Sequence, residues 1–214
     1  MLTYSSGNGT WADGRIFRVL GALLFGFIAA CFVVALTSYF ICWSRRDWRW
    51  LVLGLAFTLG ADYFLILHNR HLPGVAVFCF AHVAYIMRAV SDKKSRIYAL
   101  LPFAVAGLAI AALAMVWLDG IYVVTAMYGT LFVTNIYLSA RHIRRNRALV
   151  MTGLLLFAAC DICVLLFNLP RYMGAPEVLR IVFPLIWVFY LPSQVLLAVS
   201  AVDFSRVLRQ HACE

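Results

Sequence analysis

The chain has 214 residues, of which 64% are hydrophobic and only 13% are charged. Soluble domains are about 45–50% apolar and about 25% charged, so this composition excludes an ordinary soluble protein and predicts a polytopic membrane protein that forms a single domain. The formal net charge is +9. Because the basic residues fall in short loops, they favour an orientation signal over a surface that binds nucleic acid.

The chain begins with a polar segment that is rich in Gly and Ser and lacks the basic start of a signal peptide. We therefore expect an exposed tail at 1–15, a transmembrane helical domain at 16–203 and a cytoplasmic tail at 204–214. A run of about 20 apolar residues is long enough to span a membrane. The chain has seven such runs, at 16–41, 49–67, 72–90, 97–117, 121–140, 148–168 and 179–203.

The predicted fold class is an all-α, polytopic transmembrane helical bundle of about seven spans. The loops between the runs are short, so neighbouring helices should be antiparallel. The last run contains Pro184 and Pro192, which predict either a kink or a later start of that helix.

Lys and Arg residues are distributed unevenly between the two sides of the predicted bundle. The first, third and fifth loops and the C-terminal tail hold 13 of the 18, Arg88 among them. This bias predicts an outside N-terminus and a cytoplasmic C-terminus. We expect an integral protein of the cell (inner) membrane.

Two carboxylates lie inside predicted spans, Asp62 near the end of the second and Asp161 in the sixth. Charge at membrane depth costs about 2.5–3.5 kcal/mol on insertion scales, so an intramembrane Asp marks a candidate functional site by default. Both spans run outward, and a rise of about 1.5 Å per residue puts both carboxylates roughly 8–11 Å from the outer boundary. His82, in the middle of the third span, falls in the same layer.

Helical spacing gives these residues polar or aromatic neighbours on the same face. The stripes are Gly54–Thr58–Asp62, Phe78–His82–Tyr85, Phe157–Asp161–Asn168 and Trp187–Tyr190–Gln194. Polar residues in membrane helices face the bundle interior. We therefore expect one polar pocket with aromatic walls, lined by the second, third, sixth and seventh spans. Asn135, in the fifth span, is expected to form a structural hydrogen bond between helices.

Two carboxyl groups in a dry pocket cannot easily both ionise, because desolvation and mutual repulsion disfavour the doubly charged state. A pair that keeps one group protonated and one charged suits general acid–base catalysis, and His82 is placed to tune or relay the proton. The alternative is that each Asp only hydrogen-bonds a neighbouring helix, with Tyr and His side chains completing the network.

Other membrane chemistries lack the residues that they need. The only lysines, Lys93 and Lys94, lie in a loop, which excludes the intramembrane Schiff base of a retinal protein. The chain has no GxSxG motif, so a hydrolase serine elbow has no support. His68 and His71 near Asp62 leave a metal site as a minor alternative, but a three-His zinc site needs more ligands. We predict no metal and no cofactor.

The six cysteines do not follow a disulfide spacing. Cys160 and Cys163 form a CxxC pair beside Asp161, but they lie one helical turn apart and no second pair accompanies them. This pattern favours a packing role over metal or redox chemistry.

The order and spacing of these residues resemble the YhhN-like lysoplasmalogenase family. The resemblance is carried by GADYFL at 60–65 followed by Gly74, Phe78, His82 and Tyr85, by GLLLFAACD at 153–161, and by Trp187, Tyr190, Gln194 and Ala198. It covers about residues 50–203. The chain departs from the family pattern in having seven spans rather than the usual eight, in lacking a basic-Pro signature before the second span, and in having Cys160 before Asp161.

The resemblance implies hydrolysis of the vinyl-ether bond of lysoplasmalogen to a fatty aldehyde and a glycerophospho-alcohol. It implies Asp62 and Asp161 as the catalytic pair, and a lysophospholipid as the partner within membrane lipid. His82, Tyr85, Tyr190, Gln194, Phe78 and Trp187 are then candidates for binding substrate or supporting the pair. Arg70 and Arg171, near the outer mouth, are either phosphate ligands or solvated loop charges.

A second function remains open on the residues alone. The same polar pocket suits a non-enzymatic seven-helix receptor or a carrier of a small molecule or lipid, in which the acids bind a cation or an amphiphile without turnover. The residues do not distinguish the acid from the base, and they leave the head-group preference and the oligomeric state open.

Overall fold

A computed structural model describes residues 14–42, 44–90, 120–168 and 176–204, and the side chains of 19–42, 44–90, 120–167 and 181–204. These ranges hold six long helices: α1 (Gly14–Thr37), α2 (Arg45–Asp62), α3 (His71–Ala89), α4 (Gly120–His142), α5 (Arg147–Asn168) and α6 (Pro176–Val199). All six are long and apolar enough to cross a membrane. The predicted class, an all-α transmembrane bundle, is therefore confirmed.

The fourth predicted span, 97–117, lies outside the described residues, as do 1–13 and 205–214. The count of seven spans, the tail boundaries and the orientation in the membrane thus stay predictions. The other predicted runs match the helices to within a few residues at most ends.

The last helix excludes one of the two predicted alternatives, the later start. Pro184 and Pro192 lie inside α6, which begins at Pro176 and not later than the predicted start at 179. A proline in a helix lacks the N–H that would bond the preceding turn. In a membrane bundle, neighbouring helices allow such a residue to be kept within the helix.

Two helices change their winding at their ends. Helix α1 continues as a 3₁₀ turn over Ser38–Phe40, and α2 continues as a π-helical segment over Tyr63–Leu67. Asp62 is the last α-helical residue before this change. Single π-helical turns occur frequently at functional sites.

The six described helices enclose one core. Each packs on the next in the chain, and α6 returns to pack on α1 and α2. Every helix contributes a buried apolar residue to the same cluster, among them Ile28, Leu55, Phe78, Phe132, Phe157 and Leu197. Large apolar side chains such as Leu23, Leu155 and Val188 are exposed on the outside, as expected of helices that face lipid.

One end of the bundle, where α2 and α5 begin and where α3, α4 and α6 end, is called the basic end below. There Arg88 forms a two-fold ion pair with Asp47, with N–O distances of 2.8 and 3.0 Å, and donates a 2.8 Å hydrogen bond to Ser200. Asn146 donates to the carbonyls of Ser200 and Val202. These bonds join α2, α3, α6 and the α4–α5 loop.

The position of Arg88 corrects the sequence analysis. Arg88 is one of the 13 cations attributed to the loops and tail on one side of the bundle. The residue lies within α3, however, and its side chain is 3% exposed. A buried guanidinium requires a partner, and Asp47 of α2 provides it.

Candidate active site

Asp62 is held by a tyrosine from the far end of the chain. Its Oδ2 accepts a 2.5 Å hydrogen bond from the Tyr190 hydroxyl of α6. Both residues are buried, at 3% and 4% exposed. A short bond to a carboxyl group is among the stronger hydrogen bonds in proteins, so this contact fixes how α2 and α6 meet at the predicted site.

Asp161 has the same kind of partner on a different helix. Its Oδ2 accepts a 2.6 Å hydrogen bond from the Tyr128 hydroxyl of α4. Asp161 is only partly buried, in contrast to Asp62. Tyr128 is not among the site residues predicted from the sequence. Tyr128, Phe132 and Asn135 follow a helical spacing, and this stripe would have indicated a fifth polar or aromatic face.

An aromatic cluster connects the two Asp–Tyr pairs. The ring of Phe157, one turn before Asp161, lies 5.5 Å from the ring of Tyr190 and 5.8 Å from that of Phe78. Phe78 lies in turn 5.9 Å from Tyr128. The two Asp–Tyr pairs are therefore joined through the ring contacts of one aromatic cluster.

Four of the remaining predicted site residues carry a buried polar atom that has no hydrogen-bond partner in the described part of the chain. Within the described part of the chain, the buried side-chain atoms with no hydrogen bond are His82 Nε2, Tyr85 Oη, Trp187 Nε1 and Gln194 Oε1. Most buried polar groups in proteins are hydrogen-bonded, and each exception calls for an explanation such as a bound ligand or water. All four exceptions here fall on residues that the sequence analysis selected.

These four residues lie at different positions within the bundle. His82 packs 5.0 Å from the Tyr128 ring, and Trp187 packs 6.2 Å from the Tyr190 ring. Gln194 lies one turn beyond Tyr190 on α6 and is fully buried. The Tyr85 ring lies 6.3 Å from the His82 ring.

Asn135 forms the expected bond between helices. Its amide nitrogen lies 3.3 Å from His82 Nδ1 on α3, and its amide oxygen accepts a 3.1 Å bond from the Ser139 hydroxyl. All three residues are at most 1% exposed. Helix α4 thus adds a wall to the pocket that was predicted from four other spans.

Glycines permit the close approach of α2 and α3. A Cβ on Gly54 would lie 2.5 Å from Tyr85 Cε1, and one on Gly74 would lie 2.6 Å from Leu65 Cγ. Small residues at such points let membrane helices pack closely. Gly54 therefore sets the position of the Tyr85 ring.

Other candidates lie away from the buried site. His68, Arg70 and His71 are exposed, and the His68 ring stacks 4.4 Å from Tyr63. Arg171 and the side chain of Asn168 lie outside the described residues. Among the residues described, no group of three or more His, Cys, Asp or Glu side chains is arranged to hold a metal ion. The five described cysteines are free thiols.

Comparison with family sequence models returns one description, the YhhN family, matched over residues 23–201. The chain belongs to the YhhN family. The matched region covers both Asp–Tyr pairs and all the polar residues of the site, from within α1 to just beyond the end of α6. No curated protein and no solved structure matches the chain.

Membership in the YhhN family confirms the resemblance found in the sequence. It is consistent with a hydrolase that lies within a membrane. The geometry of the site adds the two tyrosines, which hold the carboxyl groups within a single aromatic cluster.

Proposed function

We propose that this protein hydrolyses the vinyl-ether bond of a lysoplasmalogen, with Asp62 and Asp161 as the catalytic pair. The observation that supports this proposal is the placement of two carboxyl groups, each hydrogen-bonded to a tyrosine hydroxyl, around one buried aromatic cluster. The reaction adds water to a vinyl ether and yields a fatty aldehyde and a glycerophospho-alcohol.

The chemistry needs one acid and one base. A protonated carboxyl group donates its proton to the β-carbon of the vinyl ether, and the α-carbon becomes an oxocarbenium ion. The other carboxyl group, ionised, stabilises this cation and takes a proton from the water that adds to the α-carbon. Paired carboxylates act in the same way on glycosidic oxocarbenium ions. The resulting hemiacetal collapses to the aldehyde and the alcohol.

The tyrosines supply the orientation that this chemistry requires. Each hydroxyl bonds one oxygen, Oδ2, of its carboxyl group. The direction in which the group presents its other oxygen is thereby fixed, and preorganised positioning of this kind accounts for much of enzymatic rate enhancement. Asp161 is partly exposed and Asp62 is enclosed, so the two acids meet a substrate from different environments.

The surroundings suit a single-chain lipid. The ring cluster of Phe78, Phe132 and Phe157 provides an apolar wall beside both acids. The outer helix faces are apolar and exposed, so a membrane-dissolved substrate can reach the protein laterally. Two polar atoms without a partner among the described residues, His82 Nε2 and Trp187 Nε1, belong to rings that pack against the two tyrosines and offer hydrogen bonds to the polar part of such a molecule.

The proposal is tested by incubating protein purified in detergent with lysoplasmenyl-ethanolamine and measuring fatty aldehyde. Asp62→Asn and Asp161→Asn should each abolish aldehyde release and keep the wild-type elution volume on size exclusion. Asp47→Asn, an acid of the basic end, is the matched control. It should lower thermal stability and retain activity per folded molecule.

Retained activity in both site variants would refute the assignment of the pair. Saturable binding of the lipid by well-folded wild type, with no aldehyde, would instead favour the carrier function. These two results are distinguishable because lipid binding and aldehyde release are measured separately.

A further inference from the structure

Asn135 holds His82 through the ring nitrogen Nδ1. The amide nitrogen of Asn135 lies 3.3 Å from Nδ1, and its amide oxygen accepts the hydrogen bond from Ser139, one turn further along α4. An amide NH₂ group donates hydrogen bonds and cannot accept them. With the amide in this orientation, His82 Nδ1 is the acceptor, and the single proton of a neutral ring is then on Nε2.

The opposite edge of the His82 ring carries this Nε2–H group. His82 is 0% exposed, and its Nε2 has no hydrogen-bond partner among the described residues. The ring packs 4.6 Å from Phe132 and 5.0 Å from Tyr128, the tyrosine that holds Asp161. A buried donor with no acceptor among the described residues, packed against the tyrosine that holds a proposed catalytic carboxyl group, is typical of a group that bonds a ligand.

We propose that Asn135 and Ser139 are positioning residues that hold His82 as a neutral hydrogen-bond donor to an oxygen atom of the bound lipid. The inference rests on the proposed function for the identity of that lipid. Ser139 acts at one remove, since its hydroxyl bonds the amide oxygen of Asn135 and so keeps the amide nitrogen turned towards His82.

A fixed N–H donor has a use in the last step of the proposed reaction. When the hemiacetal collapses, the bond between its carbon and the glycerol oxygen breaks. The hemiacetal hydroxyl gives its proton to the ionised carboxyl group, and the protonated one supplies a proton to the leaving oxygen. A preorganised donor at that oxygen stabilises the negative charge that develops on it. His82 keeps its own proton throughout.

The protonated nitrogen can be identified directly by ¹⁵N NMR on histidine-labelled protein in detergent micelles. The chain has five histidines, and the His82 signals are those missing from His82→Gln. The wild type should show His82 protonated on Nε2 alone. Asn135→Asp should move the proton to Nδ1, because a carboxylate only accepts. Wild-type His82 protonated on Nδ1, alone or together with Nε2, would overturn the inference.

Contact with the lipid is tested in the same spectra. The probe is a saturated 1-alkyl lysophosphoethanolamine, which has no vinyl double bond to protonate and is not consumed. At saturation it should shift the His82 Nε2 signal in the wild type. Saturable binding without such a shift would overturn the donor role.

Kinetics separate positioning from simple support of the fold. Asn135→Asp should lower kcat for aldehyde release by about tenfold or more, the effect of losing one well-placed hydrogen bond, with little change in KM. Ser139→Ala should lower kcat less. Ser38→Ala is the matched control, because Ser38 is also a buried serine but bonds Ala35 at the basic end.

A conservative replacement gives a further check. The side-chain amide of Gln places an N–H near the position of Nε2, so His82→Gln should retain part of the kcat that His82→Phe loses. Wild-type kcat in folded Asn135→Asp would refute the positioning role. If Asn135→Asp does not fold, the wild-type tautomer and Ser139→Ala decide the matter.

The proposed function and this inference fail in different ways. A wild type that shows the expected tautomer and the lipid-induced shift but releases no aldehyde supports the role of His82 as a donor. It is then the vinyl-ether reaction that is refuted.

Discussion

The Tyr190 hydroxyl donates a 2.5 Å hydrogen bond to Asp62 Oδ2 across 128 residues of sequence. The bond joins the end of α2, where the winding changes from α to π, to the middle of α6. Leu65 of the π-helical segment packs against Gly74 of α3. Asp62 is thus held at a junction of three helices, and its direction depends on a side chain that the sequence places far away.

Removing the Tyr190 hydroxyl should impair the site more than the fold. Tyr190→Phe keeps the ring in the aromatic cluster but leaves the buried Asp62 without this donor. A hydrogen bond to a charged group contributes about 1.5–3 kcal/mol, so activity should fall about ten- to a hundredfold if the bond orients the acid. Aldehyde release and thermal denaturation in detergent measure the two effects.

The control for this variant is Tyr137→Phe. Tyr137 is 56% exposed on α4, and its ring faces Arg141 rather than the site. Removing the Tyr137 hydroxyl should leave the rate of aldehyde release within about twofold of the wild-type rate. Equal losses in the two variants would contradict a specific role for Tyr190.

Tyr128→Phe tests the second pair. The hydroxyl of Tyr128 is 2.6 Å from Asp161 Oδ2, and its removal should also lower kcat by about tenfold or more. Because Asp161 is partly exposed, water replaces the lost donor more easily than at Asp62. We therefore expect a smaller loss in stability than in Tyr190→Phe, measured as the shift in the denaturation midpoint.

Gly54→Ala should destabilise the bundle. The added methyl would lie 2.5 Å from Tyr85 Cε1, and overpacking of this kind costs about 1–3 kcal/mol. Gly26→Ala is the matched control, since a Cβ there meets nothing within 4 Å, and a helical Gly→Ala change is neutral or stabilising by up to about 1 kcal/mol. A midpoint for Gly54→Ala equal to that for Gly26→Ala would refute the tight contact.

The ion pair at the basic end should contribute stability without taking part in chemistry. Asp47→Asn leaves the buried Arg88 guanidinium without its carboxylate, and breaking such a pair costs about 3–5 kcal/mol when both partners are buried. Asp47 is 29% exposed and Arg88 keeps its bond to Ser200, so we expect roughly half of that. Adding Arg88→Met should recover part of the loss.

The comparison for this prediction is Arg49→Met, because Arg49 is exposed at the start of α2. Its denaturation midpoint should stay near that of the wild type. If the double variant were less stable than Asp47→Asn alone, the single loss would not come from an unpaired buried charge.

Local patterns predicted much of this structure. Apolar runs identified the described helices, and helical spacing identified the faces that carry Asp62, His82 and Tyr190. Both signals lie within about 20 residues of sequence, the length of one membrane span. The same reason explains why the four buried polar atoms without a partner among the described residues belong to predicted site residues. An intramembrane polar group on a shared helix face points into the bundle.

What the sequence did not predict is which side chains form pairs across helices. Tyr128 resembles any other aromatic residue of a membrane helix until Asp161 is placed beside it. Arg88 resembles a loop cation until Asp47 is placed beside it. In each case the partner belongs to another helix, so the spacing of residues along one helix does not predict which residue the partner is.

The sequence by itself determined that the chain is a helical membrane bundle of the YhhN family with two intramembrane acids. Hydrophobic length and helical period are properties of single segments. Only the tertiary structure decided that Asp62 pairs with Tyr190, that Asp161 pairs with Tyr128, and that the Asn135 amide nitrogen lies against His82 Nδ1. Hydrogen-bond direction depends on atoms within about 3 Å of each other, and the packing of helices from distant parts of the chain brings those atoms together.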